Sequence, residues 1–382
     1  MAARTAHFGE SVIRRMSRVA AAHNAINLAQ GFPDFDPPPA VVEAAKRALD
    51  GDYHQYAVTW GAPPLRRALA AKIERVSGRS VDPETQLVVT CGSTEAMLAS
   101  LLAVVSPGER VGIFTPHYEN YGADARLCGA QPVYIPLQAP DFVIDFEKVE
   151  AEMKRGMRAL IVCNPANPSG KVFTRQELAK LLELCIAHGA YLITDEVYDH
   201  IVFAPYVHTY AGSLEGGAEH VLTCGSLSKT YAITGWRLGY VLGSPRVIEA
   251  VRKVHDFLTV GAAAPLQQAA VTALELPASY YDDVRTAYTE RRDVFLGYLR
   301  KTGLPFIEPQ GAYYVLVDVS ELGLADDEAA ASWFTREVGV APVPGSAFFA
   351  YPETRYVRFH FAKRLETLHA AGERLLNLPR RI

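Results

Sequence analysis

Tyr191-Leu192-Ile193-Thr194-Asp195-Glu196-Val197-Tyr198 begins as a short run with almost no polar face and ends abruptly in two carboxylates. Such a run, too short for a helix, fits a strand covered on both faces, as in parallel sheets. A carboxylate directly at the end of a buried strand is costly unless a cationic or protonated group meets it.

The same pattern recurs on either side. Ala159-Leu160-Ile161-Val162 lies upstream and Val221-Leu222 downstream; Leu87-Val88-Val89, Val111-Gly112-Ile113-Phe114, Val133-Tyr134-Ile135 and Leu238-Gly239-Tyr240-Val241 complete the set. Most are separated by segments long enough for a helix, such as Thr94 to Val105 and Arg175 to His188. The alternation predicts an α/β fold, a largely parallel seven-stranded sheet between layers of helices.

Beyond Leu274 the character changes. A helix from Tyr280 to Arg300, a strand at Tyr313 to Val319, a helix around Ala329 to Val338 and a strand at Tyr356 to Phe361 predict a smaller α+β unit. In that last strand the period of two puts Val357, Phe359 and Phe361 on one face and Tyr356, Arg358 and His360 on a polar one. Before the large unit, Val12, Ile13, Met16 and Val19 have helical spacing, and the Pro, Gly and Asp of 27–39 form a fixed connector. The expected division is an N-terminal segment 1–39 joining the small domain, a large domain 40–275 and a small domain 276–382.

At 382 residues, with 49% hydrophobic and 21% charged residues, the chain is of ordinary globular composition and large enough for two domains. Its net charge of -4, without a basic stripe, argues against nucleic acid as a partner. Met1 to His7 lack the apolar core of a signal peptide and no run reaches membrane-spanning length, so a cytoplasmic protein away from membranes is expected. Five irregularly spaced cysteines without a C-x-x-C pair, Cys91, Cys128, Cys163, Cys185 and Cys224, read as structural, with no disulfide framework and no metal site.

In open parallel sheets ligands bind beyond the carboxyl ends of the strands, so those ends are where chemistry is expected. After Thr90 come Cys91-Gly92-Ser93-Thr94, a small-residue turn opening a helix, where free N–H groups can take a phosphate or Ser93 or Thr94 can cap. After Pro116 comes Tyr118, able to stack on a flat ring or simply to pack. After Cys163 come Asn164-Pro165-Ala166-Asn167-Pro168-Ser169-Gly170, a rigid turn whose Asn167 can donate to an anionic oxygen. After Thr194 come Asp195 and Tyr198, and after Cys224 come Ser226-Leu227-Ser228-Lys229 and, a short loop on, Gly235-Trp236-Arg237. A lysine in a loop reads on its own as a solvated surface charge; between hydroxyls with an arginine nearby it also has the parts to hold an aldehyde and a phosphate, the two handles of pyridoxal phosphate.

With these motifs in this order the sequence resembles the class I, fold type I pyridoxal-phosphate aminotransferases. Asn167-Pro168-Ser169-Gly170, Asp195-Glu196-Val197-Tyr198, Ser226-Leu227-Ser228-Lys229 and Gly235-Trp236-Arg237 carry the resemblance over nearly the whole chain. Gln30-Gly31-Phe32-Pro33-Asp34-Phe35 and Val357-Arg358-Phe359-His360-Phe361-Ala362-Lys363 look most like the kynurenine aminotransferase, glutamine transaminase K and bacterial methionine aminotransferase branch.

The resemblance implies a transaminase that carries an L-amino acid's amino group to a 2-oxo acid, in two half-reactions through a Lys229 Schiff base with pyridoxal 5'-phosphate. Asp195 would keep the pyridine nitrogen protonated, and Tyr198 and Asn167 would bond the ring oxygen. Ser93, Thr94, Ser226, Ser228 and Arg237 would hold the phosphate, and Tyr118 would stack on the ring. Arg358 would clamp the substrate α-carboxylate, with Asn167, Gly31 and Ile13 also lining the substrate site. Tyr56 would reach the phosphate of the neighbouring subunit, so a homodimer with composite sites is expected.

Three departures bear on the substrate. Ile13 stands where the mammalian kynurenine enzymes carry a tryptophan, the turn at Gly92 lacks their tyrosine, and 258–265 lacks their aromatic-histidine pair. These point from kynurenine toward an aliphatic or general neutral amino acid. The alternatives are a carbon-sulfur β-lyase acting on cysteine conjugates or cystathionine, with the same cofactor contacts, and a ligand-sensing domain without turnover, for whose DNA-binding module the chain has no room.

Overall fold

A computed structural model describes residues 9–378. In chain order its helices are α1 (Val12–Ala22), α2 (Pro39–Asp50), α3 (Pro63–Ser77), α4 (Ser93–Val104), α5 (Asn120–Leu127), α6 (Phe146–Lys154), α7 (Arg175–Ala187), α8 (Gly217–His220), α9 (Pro245–Thr259), α10 (Ala264–Leu274), α11 (Ser279–Thr302), α12 (Asp327–Trp333) and α13 (Leu365–Leu376). The strands are β1 (Ile26–Asn27), β2 (Leu87–Thr90), β3 (Arg110–Thr115), β4 (Gln131–Pro136), β5 (Met157–Cys163), β6 (Tyr191–Asp195), β7 (Val221–Ser226), β8 (Gly239–Leu242), β9 (Phe306–Ile307), β10 (Tyr314–Asp318), β11 (Val340–Ala341), β12 (Val343–Pro344) and β13 (Tyr356–His360). No helix among the described residues is long and apolar enough to cross a membrane.

Seven strands form the central sheet in the order β2-β8-β7-β6-β5-β3-β4. Only β8 runs against its neighbours; the remaining pairs are parallel. The apolar runs are explained by burial on both faces. Along β5, Leu160 and Val162 enter one core with α6 and α7, while Ala159 and Ile161 enter another with α4, α5 and α9. A strand with a core on each side favours apolar residues along its length. The carboxyl ends of β2, β3, β5, β6 and β7 therefore share one edge, and β8 starts there, with Gly239 opposite both Thr90 and Ser226.

The C-terminal part is built on a four-stranded antiparallel sheet, β12-β13-β10-β9. The expected helix around 329–338 is α12 running into a π turn, Phe334–Val338. The N-terminal segment is tied to this part by backbone pairing: β1 pairs with β11, Leu28 N donates to Ala341 O, and Leu28 O accepts from His360 N.

The expected polar face of β13 needs correcting. All five of its residues are buried. Phe359 packs against Phe295 and Phe334 on one side. On the other, Arg358 lies under Tyr314 and Phe348, and His360 beside Tyr313. The alternation is real, but both faces are covered, so its polar face looks into the protein.

Candidate active site

One cavity of about 770 Å³ opens at the shared edge of the central sheet. It is lined by Ser93, Thr94, Tyr118, Asn167, Asp195, Tyr198, Ser226, Ser228, Lys229, Arg237, Arg358, Gly31 and Ile13, every residue singled out from the sequence except Tyr56. Tyr56 lies outside it, 88% exposed.

The wall from β2, β7 and β8 is made of donors. Gly92, at φ +81, occupies the cap position of α4 without a side-chain cap bond, so neither Ser93 nor Thr94 serves as the cap. The first N–H groups of a helix have no acceptor within it. A Cβ at Gly92 would stand 2.4 Å from Arg237 Nη2, so glycine is needed for the guanidinium to lie over the turn. Arg237 is in the left-handed region at φ +53, where a non-glycine residue is strained. It donates to Thr234 O at 3.1 Å and has no carboxylate partner among the described residues. Ser226 Oγ accepts from Ser228 N at 3.0 Å, while the buried Ser228 Oγ has no partner. Cationic and neutral donors in search of an acceptor are what a phosphate requires.

The floor carries the titratable groups. Lys229 leaves the end of β7 and donates to Gly31 O at 3.4 Å. Burial, then the charge of Arg237, holds its amine down to about 8, against the pull of Asp195. Asp195 ends β6 with Oδ2 accepting from Tyr121 OH at 2.6 Å and Oδ1 from Val197 N at 3.4 Å. Burial raises its carboxyl to about 6 despite those two bonds and Lys229. An anion held there is stabilised by a proton-bearing ring in front of it.

On the far wall Arg358, 0% exposed, donates through Nη1 to Asn167 Oδ1 at 2.7 Å and through Nη2 to Ala29 O at 2.8 Å. Its Nε is buried without a partner. Since guanidinium only donates, Asn167 must turn its oxygen to it, which leaves its NH2 free to donate elsewhere. Tyr198 OH lies 3.0 Å from Tyr314 OH, with its ring edge-on to Tyr313 and Tyr314. A Cβ on Gly31 would fall 2.3 Å from Tyr314 OH, a close approach that only glycine permits.

Sequence reasoning missed several lining residues. Tyr121 and Tyr314 were not singled out from the sequence, and Cys163, read as structural, borders the cavity. Glu119 accepts from Ser11 Oγ at 2.5 Å, fastening the turn after β3 to the start of α1. The signal for Tyr121 was its place in the first turn of the helix after β3, three residues past Tyr118.

The donor set, the buried carboxylate of Asp195 and the amine fit a phosphorylated pyridine aldehyde: Ser228 Oγ and the Gly92 cradle for its phosphate, Asp195 for its nitrogen, Lys229 for its aldehyde. Comparison with known proteins agrees. The family model for aminotransferase class I and II matches residues 23–375. The methionine aminotransferase of Escherichia coli (strain K12) is 35% identical over 371 residues, 97% of this chain and 96% of that protein. A probable N-succinyldiaminopimelate aminotransferase of Mycobacterium tuberculosis is 36% identical over 387 residues, 98% of this chain and 97% of the other. The solved structure of an N-succinyldiaminopimelate aminotransferase from M. tuberculosis superposes with a TM-score of 0.96 at 35% identity, covering 99% of this chain and all of the other. With the family model spanning nearly the whole chain and relatives at this identity and coverage, the chain belongs to the class I and II aminotransferases, pyridoxal-phosphate enzymes of fold type I.

Proposed function

We propose that this aminotransferase takes its amino group from a neutral L-amino acid, with Lys229 as the base, and that it works as a homodimer. The observation that carries the reading is the single cavity on which Lys229, Asp195 and Arg358 all open. Bound pyridoxal phosphate supplies an electron sink for the pair left when the α-proton is removed. The chain does the rest.

With its amine held to about 8, Lys229 has a free-base fraction at neutral pH and can take the α-proton and return it. Asp195 would hold the ring nitrogen's proton in place. Arg358, already fixed by Asn167 and Ala29, would present its fork to the α-carboxylate, and Asn167 and Tyr198 would donate to the ring oxygen. The phosphate would rest among the α4 N–H groups, Ser226, Ser228 and Arg237. The apolar surface of Ile13, Phe32 and Tyr118 at the cavity supports a neutral substrate side chain.

The dimer is supported by an exposed apolar patch. Tyr56, Val58, Phe257 (92% exposed), Leu258 and Val260 are all solvent-facing in the single chain. Their segments touch one another, His255 Nε2 lying 2.9 Å from Thr59 O. Cys91, next to the Gly92 cradle, reaches Gly261 O with its Sγ at 3.7 Å. A second copy covering that patch would bring its Tyr56 to the phosphate end of the cavity.

The test is a half-reaction. Mixing the loaded enzyme with single amino acids and no oxo acid should release one equivalent of the matching 2-oxo acid, fastest for neutral side chains. Continuous release of pyruvate and ammonia from cystathionine would overturn the transfer reading, and a preference for aspartate or glutamate the neutral one.

A further inference from the structure

Helix α5 buries Tyr121, Asp124 and Ala125, and Cys128 just beyond it, the spacing of a stripe that faces a core. An aspartate is out of place there. Asp124 is 5% exposed, its Oδ2 has no hydrogen-bond partner, and no lysine, arginine or histidine among the described residues pairs with it. A bare carboxyl oxygen inside a helix otherwise built for packing breaks a local rule, and such breaks concentrate at functional sites.

Its surroundings indicate which site. Three residues earlier, Tyr121 donates to Asp195 Oδ2 at 2.6 Å, so the stripe carrying Asp124 is already docked on the carboxylate that ends β6. The groups electrostatically coupled to Asp124 are Asp195, the Cys128 thiol beyond its own helix and the Cys224 thiol of β7. On the other elements packed against α5, Glu95, the one ionisable residue of α4, is taken up by Cys91 N, His255 and Thr259. Arg110 of β3 is committed to Glu152, and Tyr134 of β4 to Arg126. Burial first, and then the charge of Asp195, pushes the Asp124 carboxyl up to about 7, while Asp195 stands at about 6. Two carboxyls coupled in this way give up their protons in succession; Asp195, whose oxygens accept from Tyr121 OH and Val197 N, ionises before Asp124, whose Oδ2 has no donor.

We propose that Asp124 is a positioning residue for Asp195: it stays neutral while Asp195 alone faces the ring nitrogen, and on losing its proton it adds a second negative charge behind Asp195. The proposal rests on the role given to Asp195 above. Extra negative charge raises the proton affinity of a group in front of it, so the ring nitrogen holds its proton to higher pH than one carboxylate would allow.

Carboxyl titration by NMR of the full-length, cofactor-free chain labelled with 13C-aspartate tests the coupling without any turnover. Asp124→Asn should erase a titration near 7 and leave that of Asp195; Asp195→Asn should lower the Asp124 midpoint by about one pH unit. A midpoint unmoved by Asp195→Asn, or below 5 in the wild type, overturns the coupling. In the loaded enzyme, Asp124→Asn and Asp124→Leu should move the alkaline limb of the half-reaction, and the pH titration of the bound chromophore, about one unit toward lower pH, roughly a tenfold loss at the alkaline end. A loss of equal size at every pH would mean a merely structural residue and overturns the proposal. If wild-type enzyme released no oxo acid from any amino acid, the assignment of Asp195 would fall while the NMR coupling stood.

Discussion

Two buried aspartates, Asp195 and Asp199, leave the same strand four residues apart, and each has a lysine in its surroundings. Asp199 is in contact with its lysine: Lys72 Nζ lies 2.7 Å from Oδ2, Tyr210 OH donates at 3.1 Å, and both charges are buried. Burial works against Asp199's charge, but His200 and Lys72 hold its carboxyl well below the usual range. Burial likewise opposes Lys72's charge, yet Asp199 pushes its amine up. Asp195 and Lys229 are the reverse. They make no ion pair; burial raises the carboxyl to about 6 and lowers the amine to about 8. The same two residue types form a closed ion pair on one side of a turn and an unpaired set open on the cavity on the other. What separates them is whether each charge has found its partner within the chain.

The comparison is broken most directly at Lys229. Lys229→Ala should reduce amino transfer by at least about 10⁴-fold, since proton transfer by a placed group contributes 10²–10⁴ and the covalent hold on the cofactor goes with it. The melting temperature should hold, because no ion pair is lost. In the wild-type chain without cofactor, labelling of this amine should rise with pH through about 8, since its free-base form gains as pH passes the lowered midpoint. A fully active Lys229→Ala would remove Lys229 from the chemistry.

At Lys72 the expectation is inverted. Lys72→Met leaves Asp199 buried without its cation, a loss of about 3–5 kcal/mol. At neutral pH His200 gives no cover, because burial holds its ring down to about 3. Asp199's folded carboxyl is depressed, so its stabilisation is present above its unfolded value, about 3.9, and is lost as pH falls. The deficit of the variant in urea unfolding should therefore be larger at pH 7 than at about pH 4, because burial raises the unpaired carboxyl, and should shrink further below that. A variant as stable as the wild type at pH 7 would deny the pair its structural part.

How much of this was legible in the chain follows from the same distinction. Asp195 and Lys229 stand out because each interrupts or follows an apolar strand at a place where a ligand must sit. The central sheet was legible for the same reason, its strands being covered on both faces. Arg358 was not legible from periodicity, which put it on a face taken for solvent; Tyr314 and Phe348 cover that face from distant parts of the chain. Tyr121 was hidden because a tyrosine on an amphipathic helix looks the same whether its hydroxyl meets water or a carboxylate. Tyr56 is exposed in the single chain, and the part proposed for it depends on a second copy.

Arg358 tests whether an arginine clamped by its own chain still has capacity for substrate. Nη1 and Nη2 are committed to Asn167 and Ala29, yet Nε is unpartnered and each nitrogen of the fork bears more than one proton except Nε. Arg358→Lys keeps the charge and loses the fork. It should raise KM for amino and oxo acids alike by roughly 10- to 100-fold, about 1.4–2.8 kcal/mol by the usual tenfold relation, with a smaller change in kcat. Unchanged KM values on both sides of the reaction would remove Arg358 from the substrate.

The expected effect at Tyr121 is of the same size as that at Arg358, and it bears on why Asp195 stays open. Its hydroxyl is a neutral donor: at 2.6 Å it stabilises the carboxylate without cancelling the charge, as an ammonium at the same place would. That is the physical difference from Asp199, whose donors include Lys72. Tyr121→Phe removes one hydrogen bond to a charged group, about 1.5–3 kcal/mol, and the loss falls on the ionised form alone. The Asp195 midpoint in the cofactor-free chain should rise above about 6, and cofactor affinity should fall about 10- to 100-fold with the anion less available. Retention of both in Tyr121→Phe would mean that burial and the Val197 N–H suffice, and that the neutral donor is dispensable to an aspartate left open for a ligand.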